Sequence, residues 1–153
     1  MPVLEFQDVS MIYNSIDGET LALDRFSYAF EKGGFTAIVG PSGCGKSTLL
    51  SLAAGLLQPD EGQVLFEGEK VCHTMPQIGY MLQRDHLFDW LTIEENACLG
   101  LRVRKLLTKE ARERVRALLS FCGLGDFIRS YPSQLSGGMR QRAALARTLA
   151  VDP

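Results

Sequence analysis

A nine-residue run, Gly40-Pro41-Ser42-Gly43-Cys44-Gly45-Lys46-Ser47-Thr48, constrains this chain more than any other feature, because it fits G-x-x-x-x-G-K-[ST] without a departure. Its glycines permit backbone turns that point successive N–H groups inward, which makes an anion-binding nest. A helix opening near Lys46 adds the positive end of its dipole at the same place. In such a loop Lys46 reaches the β- and γ-phosphates of a nucleotide, and the Ser47 hydroxyl is placed to bind Mg2+. The ordinary alternative is a glycine-rich turn between strand and helix that happens to hold a lysine. The flanks favour phosphate binding. Residues 35–39 are a short apolar run, as in a strand buried on both faces of a parallel sheet, and residues 46–55 carry Leu49, Leu50, Leu52 and Ala53 for one packed helical face. Cys44 lends the loop its backbone, and no chemistry is assigned to its thiol. The loop alone does not choose among GTPases, kinases, helicases and transport ATPases.

Around this loop the chain reads as α/β. Residues 3–9 mix apolar and polar side chains near period two, as a half-exposed strand does. Turn residues fill positions 14–20, and a second strand over residues 21–30 completes a hairpin. Pro59-Asp60-Glu61-Gly62 is a turn before a strand at residues 63–66, with another turn at Glu67-Gly68; residues 78–82 read as a second buried strand. From Thr92 onward the chain looks helical. The clearest helix opens at Thr108 as N-cap, with Glu110 in its first turn and Ala111, Val115, Leu118, Leu119 and Cys122 on one face. Glu110 stands four residues before Arg114, the favourable order for an ion pair, and Gly123 is a natural stop.

Composition narrows the partners. The 153 residues suit one domain, and 16 Lys and Arg against 18 Asp and Glu leave a net charge of −2, which makes no electrostatic case for nucleic acid. No apolar run approaches the roughly 20 residues needed to cross a bilayer. The opening Met-Pro-Val-Leu-Glu-Phe lacks the pattern of a secretory signal. Cys44, Cys72, Cys98 and Cys122 stand more than twenty residues apart, with no zinc spacing, and read as free thiols in a reducing compartment. His73 and His86 receive no catalytic role.

The second motif is Leu135-Ser136-Gly137-Gly138-Met139-Arg140-Gln141-Arg142. A Ser-Gly-Gly turn leading into a helix again leaves backbone N–H groups free, a smaller anion site; a plain N-cap through Ser136 is the simpler alternative and stays open. The phosphate loop followed about ninety residues later by LSGG-x-RQR resembles the ATP-binding cassette family over essentially the whole chain. Met139 departs from the glutamine commonest there. The same Met, with Leu87-Phe88-Asp89-Trp90-Leu91-Thr92 and Tyr131-Pro132-Ser133-Gln134-Leu135-Ser136, is similar to importers of the nitrate, sulfonate and taurine branch.

The resemblance implies a P-loop NTPase fold of the cassette type with an N-terminal antiparallel β subdomain and a helical insert: residues 1–86 as β subdomain and core, 87–134 as helical subdomain, and 135–153 as signature motif and helix. It implies ATP and Mg2+ as cofactors, with Tyr13 stacking on adenine, Lys46 and Ser47 on phosphates and metal, and Gln83 reaching Mg2+ and the attacking water. It implies a head-to-tail pair in which Ser136, Gly137 and Gly138 of one subunit close over the nucleotide of the other. Transmembrane permease subunits would be the further partners, placing the protein peripherally on the cytoplasmic face of the membrane. The family's apolar strand ending in Asp-Glu would begin just after Val151-Asp152-Pro153. The chain as given is therefore expected to bind nucleotide weakly, to hydrolyse it negligibly, and to leave the strand at residues 35–39 without a neighbour. Residues 84–91 are either a docking surface or local core filling. A non-transport cassette ATPase and a nucleotide-binding fragment without turnover are the competing readings.

Overall fold

The computed structural model describes residues 2–16 and 18–153; Asp17 of the expected 14–20 turn, like Met1, lies outside the described residues. Two compact units divide the chain, Met1–Met75 and Pro76–Pro153.

In the first unit, strands β1 (Pro2–Ser15) and β2 (Gly18–Glu31) form an antiparallel hairpin whose register runs from Ser15↔Gly18 back to Pro2↔Glu31. Both strands outrun the stretches expected from alternation, because each continues as long as the other supplies ladder partners. The register shifts between Phe6 and Val9, where Asp8 takes φ 49°. There the Asp8 N–H donates to Ser27 Oγ at 2.8 Å, and that hydroxyl donates back to the Asp8 carboxylate at 3.1 Å, so the bulge keeps its polar groups paired. Strand β3 (Glu61–Phe66) lies on the other side of β1. A turn with positive φ at both Glu67 and Gly68 joins it to β4 (Glu69–Lys70), giving the order β2-β1-β3-β4. Helix α1 (Lys46–Ala53) covers the inner face, where Leu49 and Leu52 join Phe6, Val9, Val64 and Val71 in the core. The Phe6 ring sits edge-on to Phe26 and Phe30 at 5.5 and 6.0 Å. Truncating so buried an aromatic costs about 3–5 kcal/mol.

Two expected strands do not form. Residues 35–39 run without regular structure, with Phe35 97% and Val39 92% exposed. A strand buried on both faces needs neighbours on both sides, and among the described residues the only sheet is antiparallel and offers this run no edge. The expected exposure of its apolar surface is what the structure shows. Residues 78–82 are likewise irregular, with Leu82 43% exposed.

The second unit is helical: α2 (Ile93–Ala97), α3 (Leu99–Val103), α4 (Lys109–Phe121) and α5 (Gly137–Leu149). Thr92 opens α2 with a capping box, accepting from Glu95 N while the Glu95 carboxylate accepts from Thr92 N at 2.8 Å. The next orphan amides find tertiary acceptors, Ile93 N on Ser130 O and Glu94 N on Ile128 O. Thr108 caps α4 as expected, accepting from Ala111 N at 3.1 Å. At its other end Gly123 takes φ 72°, Leu124 N bonds Leu119 O and Gly123 N bonds Ser120 O, a Schellman stop with Leu119 and Leu124 both fully buried. The expected Glu110–Arg114 pair does not form. The Glu110 carboxyl turns back to its own backbone N–H and to Thr108, which hold it below the usual carboxylate range. The arginines that pair are Arg112 and Arg116, each 3.2 Å from the nearly buried Glu94. Ala143, Ala144 and Ala146 of α5 are buried beside Ile93 and Ala97 in this core, where small side chains let helices approach closely. No helix among the described residues is long and apolar enough to cross a membrane.

Candidate functional site

The phosphate loop is shaped by its own covalent constraints. Gly43 and Gly45 take φ 83° and 88°, the left-handed region that favours glycine. A Cβ on Gly45 would stand 2.5 Å from the Ala22 carbonyl oxygen on β2, so this position also needs glycine for space. Gly45 serves as N-cap of α1 without a side chain, and no side chain caps the first-turn amides of that helix, which leaves them for an anion. Pro41, Ser42, Gly43, Cys44 and Ser47 are exposed around this turn. The Lys46 ammonium folds back over the loop and donates to the carbonyls of Gly40 at 2.8 Å and Pro41 at 2.7 Å, with Cys44 Sγ at 3.4 Å. The Tyr13 hydroxyl lies 3.3 Å from Thr48 Oγ1, and the residue is 40% exposed at the same end of α1. A turn of glycine amides, a helix start, one ammonium and one free hydroxyl is the donor set that a nucleotide's phosphates and Mg2+ require.

In the second unit Ser136 caps α5, accepting from Met139 N at 3.3 Å, so the plain N-cap is realised. The turn also stays open in front: a Cβ on Gly138 would meet nothing within 4 Å, and one on Gly137 only the end of the Arg140 side chain. Gln83 is exposed, and its carbonyl accepts from Gln141 Nε2 at 3.1 Å. The next residues are fastened to α5. Arg147 donates to the Asp85 and His86 carbonyls, both at 2.7 Å, and Arg140 Nε meets the Asp85 carboxylate at 3.1 Å. Burial pushes the Asp85 carboxyl upward, but the Leu87 N–H and the Arg140 guanidinium outweigh it and hold the group below its ordinary value. Beyond this anchor Leu87 is buried, whereas Phe88 and Trp90 face outward with ring centroids 4.8 Å apart and Trp90 72% exposed. Leu87 thus fills the core, and Trp90 is left at the surface.

The family model described as ABC transporter matches residues 23–153. The chain belongs to the ABC transporter family. It is similar to the ABC transporter ATP-binding protein YtlC of Bacillus subtilis (strain 168), 50% identical over 153 residues, all of this chain and 59% of that protein. It is also similar to the aliphatic sulfonates import ATP-binding protein SsuB of Bacillus thuringiensis subsp. konkukian, 37% identical over 98% of this chain and 59% of SsuB. With the sulfate/thiosulfate import ATP-binding protein CysA of Mycobacterium bovis it shares 47% identity over 89% of this chain and 40% of CysA. The dimeric post-hydrolysis structure of the ATP-binding cassette MJ0796 bound to ADP and Pi superimposes with TM-score 0.87 at 32% identity, covering 98% of this chain and 70% of that one. The chain therefore spans a little over half the length of YtlC and SsuB.

The candidate site residues fall in both units: Tyr13 and Gly40 to Thr48 in the first, Gln83 and Ser136 to Gly138 in the second. Sequence reasoning missed Asp85, Arg140 and Arg147. Arg140 lay inside a recognised motif, but nothing in a linear reading pairs it with a residue 55 positions away.

Proposed function

We propose that this chain is the nucleotide-binding part of an ABC ATPase subunit that couples ATP binding and hydrolysis to solute import through transmembrane permease partners. The observation that carries the reading is the phosphate loop itself: left-handed Gly43 and Gly45, the latter wedged against β2, uncapped first-turn amides on α1, and a lysine within reach of the loop's own oxygens. In this reading Lys46 and the loop amides bind the β- and γ-phosphates, the Ser47 hydroxyl and Gln83 hold Mg2+, and Tyr13 stacks on adenine. Mg2+, when bound, would neutralise phosphate charge. Gln83 also orients the attacking water. Ser136, Gly137 and Gly138 present their turn to the nucleotide of a second subunit in a head-to-tail pair; pairing as such is supported by the dimeric MJ0796 structures. Import is supported by the names of SsuB and CysA and by Met139, and it places the subunit on the cytoplasmic face of the membrane.

For the 153-residue chain by itself the proposal is nucleotide binding without turnover, because no Asp-Glu pair follows an apolar strand within it. The test titrates the chain with a fluorescent ATP analogue and Mg2+, beside Lys46→Ala. Loss of charge-assisted hydrogen bonds should weaken binding by about tenfold or more. Equal binding by both proteins would overturn the site assignment, and steady hydrolysis abolished by Lys46→Ala would overturn the absence of turnover.

A further inference from the structure

We propose that Arg147, assisted by Arg140 and Gln141, is a positioning residue that fastens the loop carrying Gln83 to the helix headed by Ser136, so that the two motifs move as one body. Three donors on α5 converge on this loop. The Arg147 guanidinium forks onto two consecutive carbonyls, Asp85 O and His86 O, both at 2.7 Å. Arg140, two helical turns earlier on the same face, joins the Asp85 carboxylate through Nε at 3.1 Å and the Leu135 carbonyl through Nη1 at 2.8 Å. Leu135 directly precedes the capping Ser136, so one side chain ties the signature turn to the loop. Gln141 holds the Gln83 carbonyl itself. His86 takes φ 44°, an uncommon conformation for a residue with a side chain; it persists where surrounding contacts enforce it.

An exposed ion pair would not carry this inference, since such pairs contribute little. Arg147 instead engages backbone carbonyls, which cannot swing away as a carboxylate can. Its planar fork fits two acceptors at once, and a lysine ammonium cannot reproduce that geometry. The mechanical coupling stands on these contacts alone; its consequence for hydrolysis rests on the proposed role of Gln83.

The experiment measures amide exchange in this chain for wild type, Arg147→Lys and, as a control on an exposed α5 side chain outside the anchor, Arg142→Lys. In Arg147→Lys the amides of residues 84–87 should exchange about tenfold faster, with α4 unchanged. Gln141→Leu should act in the same direction with a smaller effect, and Arg142→Lys should match wild type. Unchanged exchange at residues 84–87 in Arg147→Lys would overturn the proposal, as would acceleration spread equally through α4, which marks a general stability role. In the full-length protein the same substitution should lower kcat about tenfold while leaving KM for ATP within about twofold. Faster loop exchange with kcat unchanged would leave the anchor standing and remove the assigned role of Gln83 instead.

Discussion

Asn96 offers a sharp test of how the second unit presents its exposed aromatic pair. The residue is fully buried, and its amide is used on both sides. Oδ1 accepts from Phe88 N at 2.8 Å, while Nδ2 donates to the carbonyls of Phe88, Leu91 and Thr92, each at 3.0 Å. Asn96→Leu keeps the approximate volume and removes all four bonds. Phe88 O retains Leu91 N, and Thr92 O retains the helical bond from Asn96 N, so the groups left without partners are the Phe88 N–H and the Leu91 carbonyl. Each orphaned buried group costs about 1–3 kcal/mol; both residues are partly exposed and water recovers some of this, which sets the loss near 2–3 kcal/mol. In a chain of 153 residues that lowers Tm by about 4–12 °C. Thermal unfolding by circular dichroism reads the loss. Trp90, the single tryptophan, reports the turn directly through its fluorescence anisotropy. Asn96→Asp gives a companion with a sign. A carboxylate facing three carbonyl oxygens is disfavoured, so its folded pKa rises above the unfolded value of about 3.9. Its stability is present below the unfolded pKa and is lost as pH rises through the folded one. A loss under about 1 kcal/mol in Asn96→Leu, with unchanged Trp90 anisotropy, would refute the reasoning.

Gly45→Ala should destabilise the first unit by about 2–4 kcal/mol, from the left-handed backbone together with displacement of the Ala22 carbonyl, and urea unfolding monitored by far-ultraviolet dichroism measures it. A loss no larger than that of an exposed helical substitution would show that β2 yields freely. Asp85 supplies the pH prediction: its folded pKa is lowered, so its anchoring contribution is present above the unfolded value of about 3.9 and disappears as pH falls through the folded one. Exchange at the Leu87 amide should therefore accelerate beyond the solvent trend only below about pH 4. Persistence of that extra step in Asp85→Asn would assign it to another group.

What was legible in the sequence was local. The phosphate loop, the Thr108 cap, the Gly123 stop and the hairpin of β1 and β2 each follow from residues a few positions apart, where a side chain or a φ preference decides the outcome. The runs at residues 35–39 and 78–82 misled because a buried strand is defined by its neighbours, and apolar composition alone supplies none. Glu110 and Arg114 had the right spacing for a pair. The competition that decided it, Glu94 drawing Arg112 and Arg116, requires knowing that α2 and α4 pack together. The anchor from Arg147 to the Asp85 and His86 carbonyls spans some sixty residues and ends on backbone atoms, which carry no residue identity to read.

The folded-back Lys46 has a consequence for the energetics of ligand capture. By donating to Gly40 O and Pro41 O it acts as an internal tenant of the phosphate cradle, neutralising the carbonyl ends of the turn and holding its curvature. An incoming phosphate must win the ammonium away from two oxygens already in place, so part of the attraction between charges is spent in an exchange. In the proposed phosphate-binding role, affinity is thereby moderated. A lysine that merely waited in solvent would bind more greedily and release less readily. For the proposed nucleotide-binding role, the resident competitor weakens the hold on a bound phosphate.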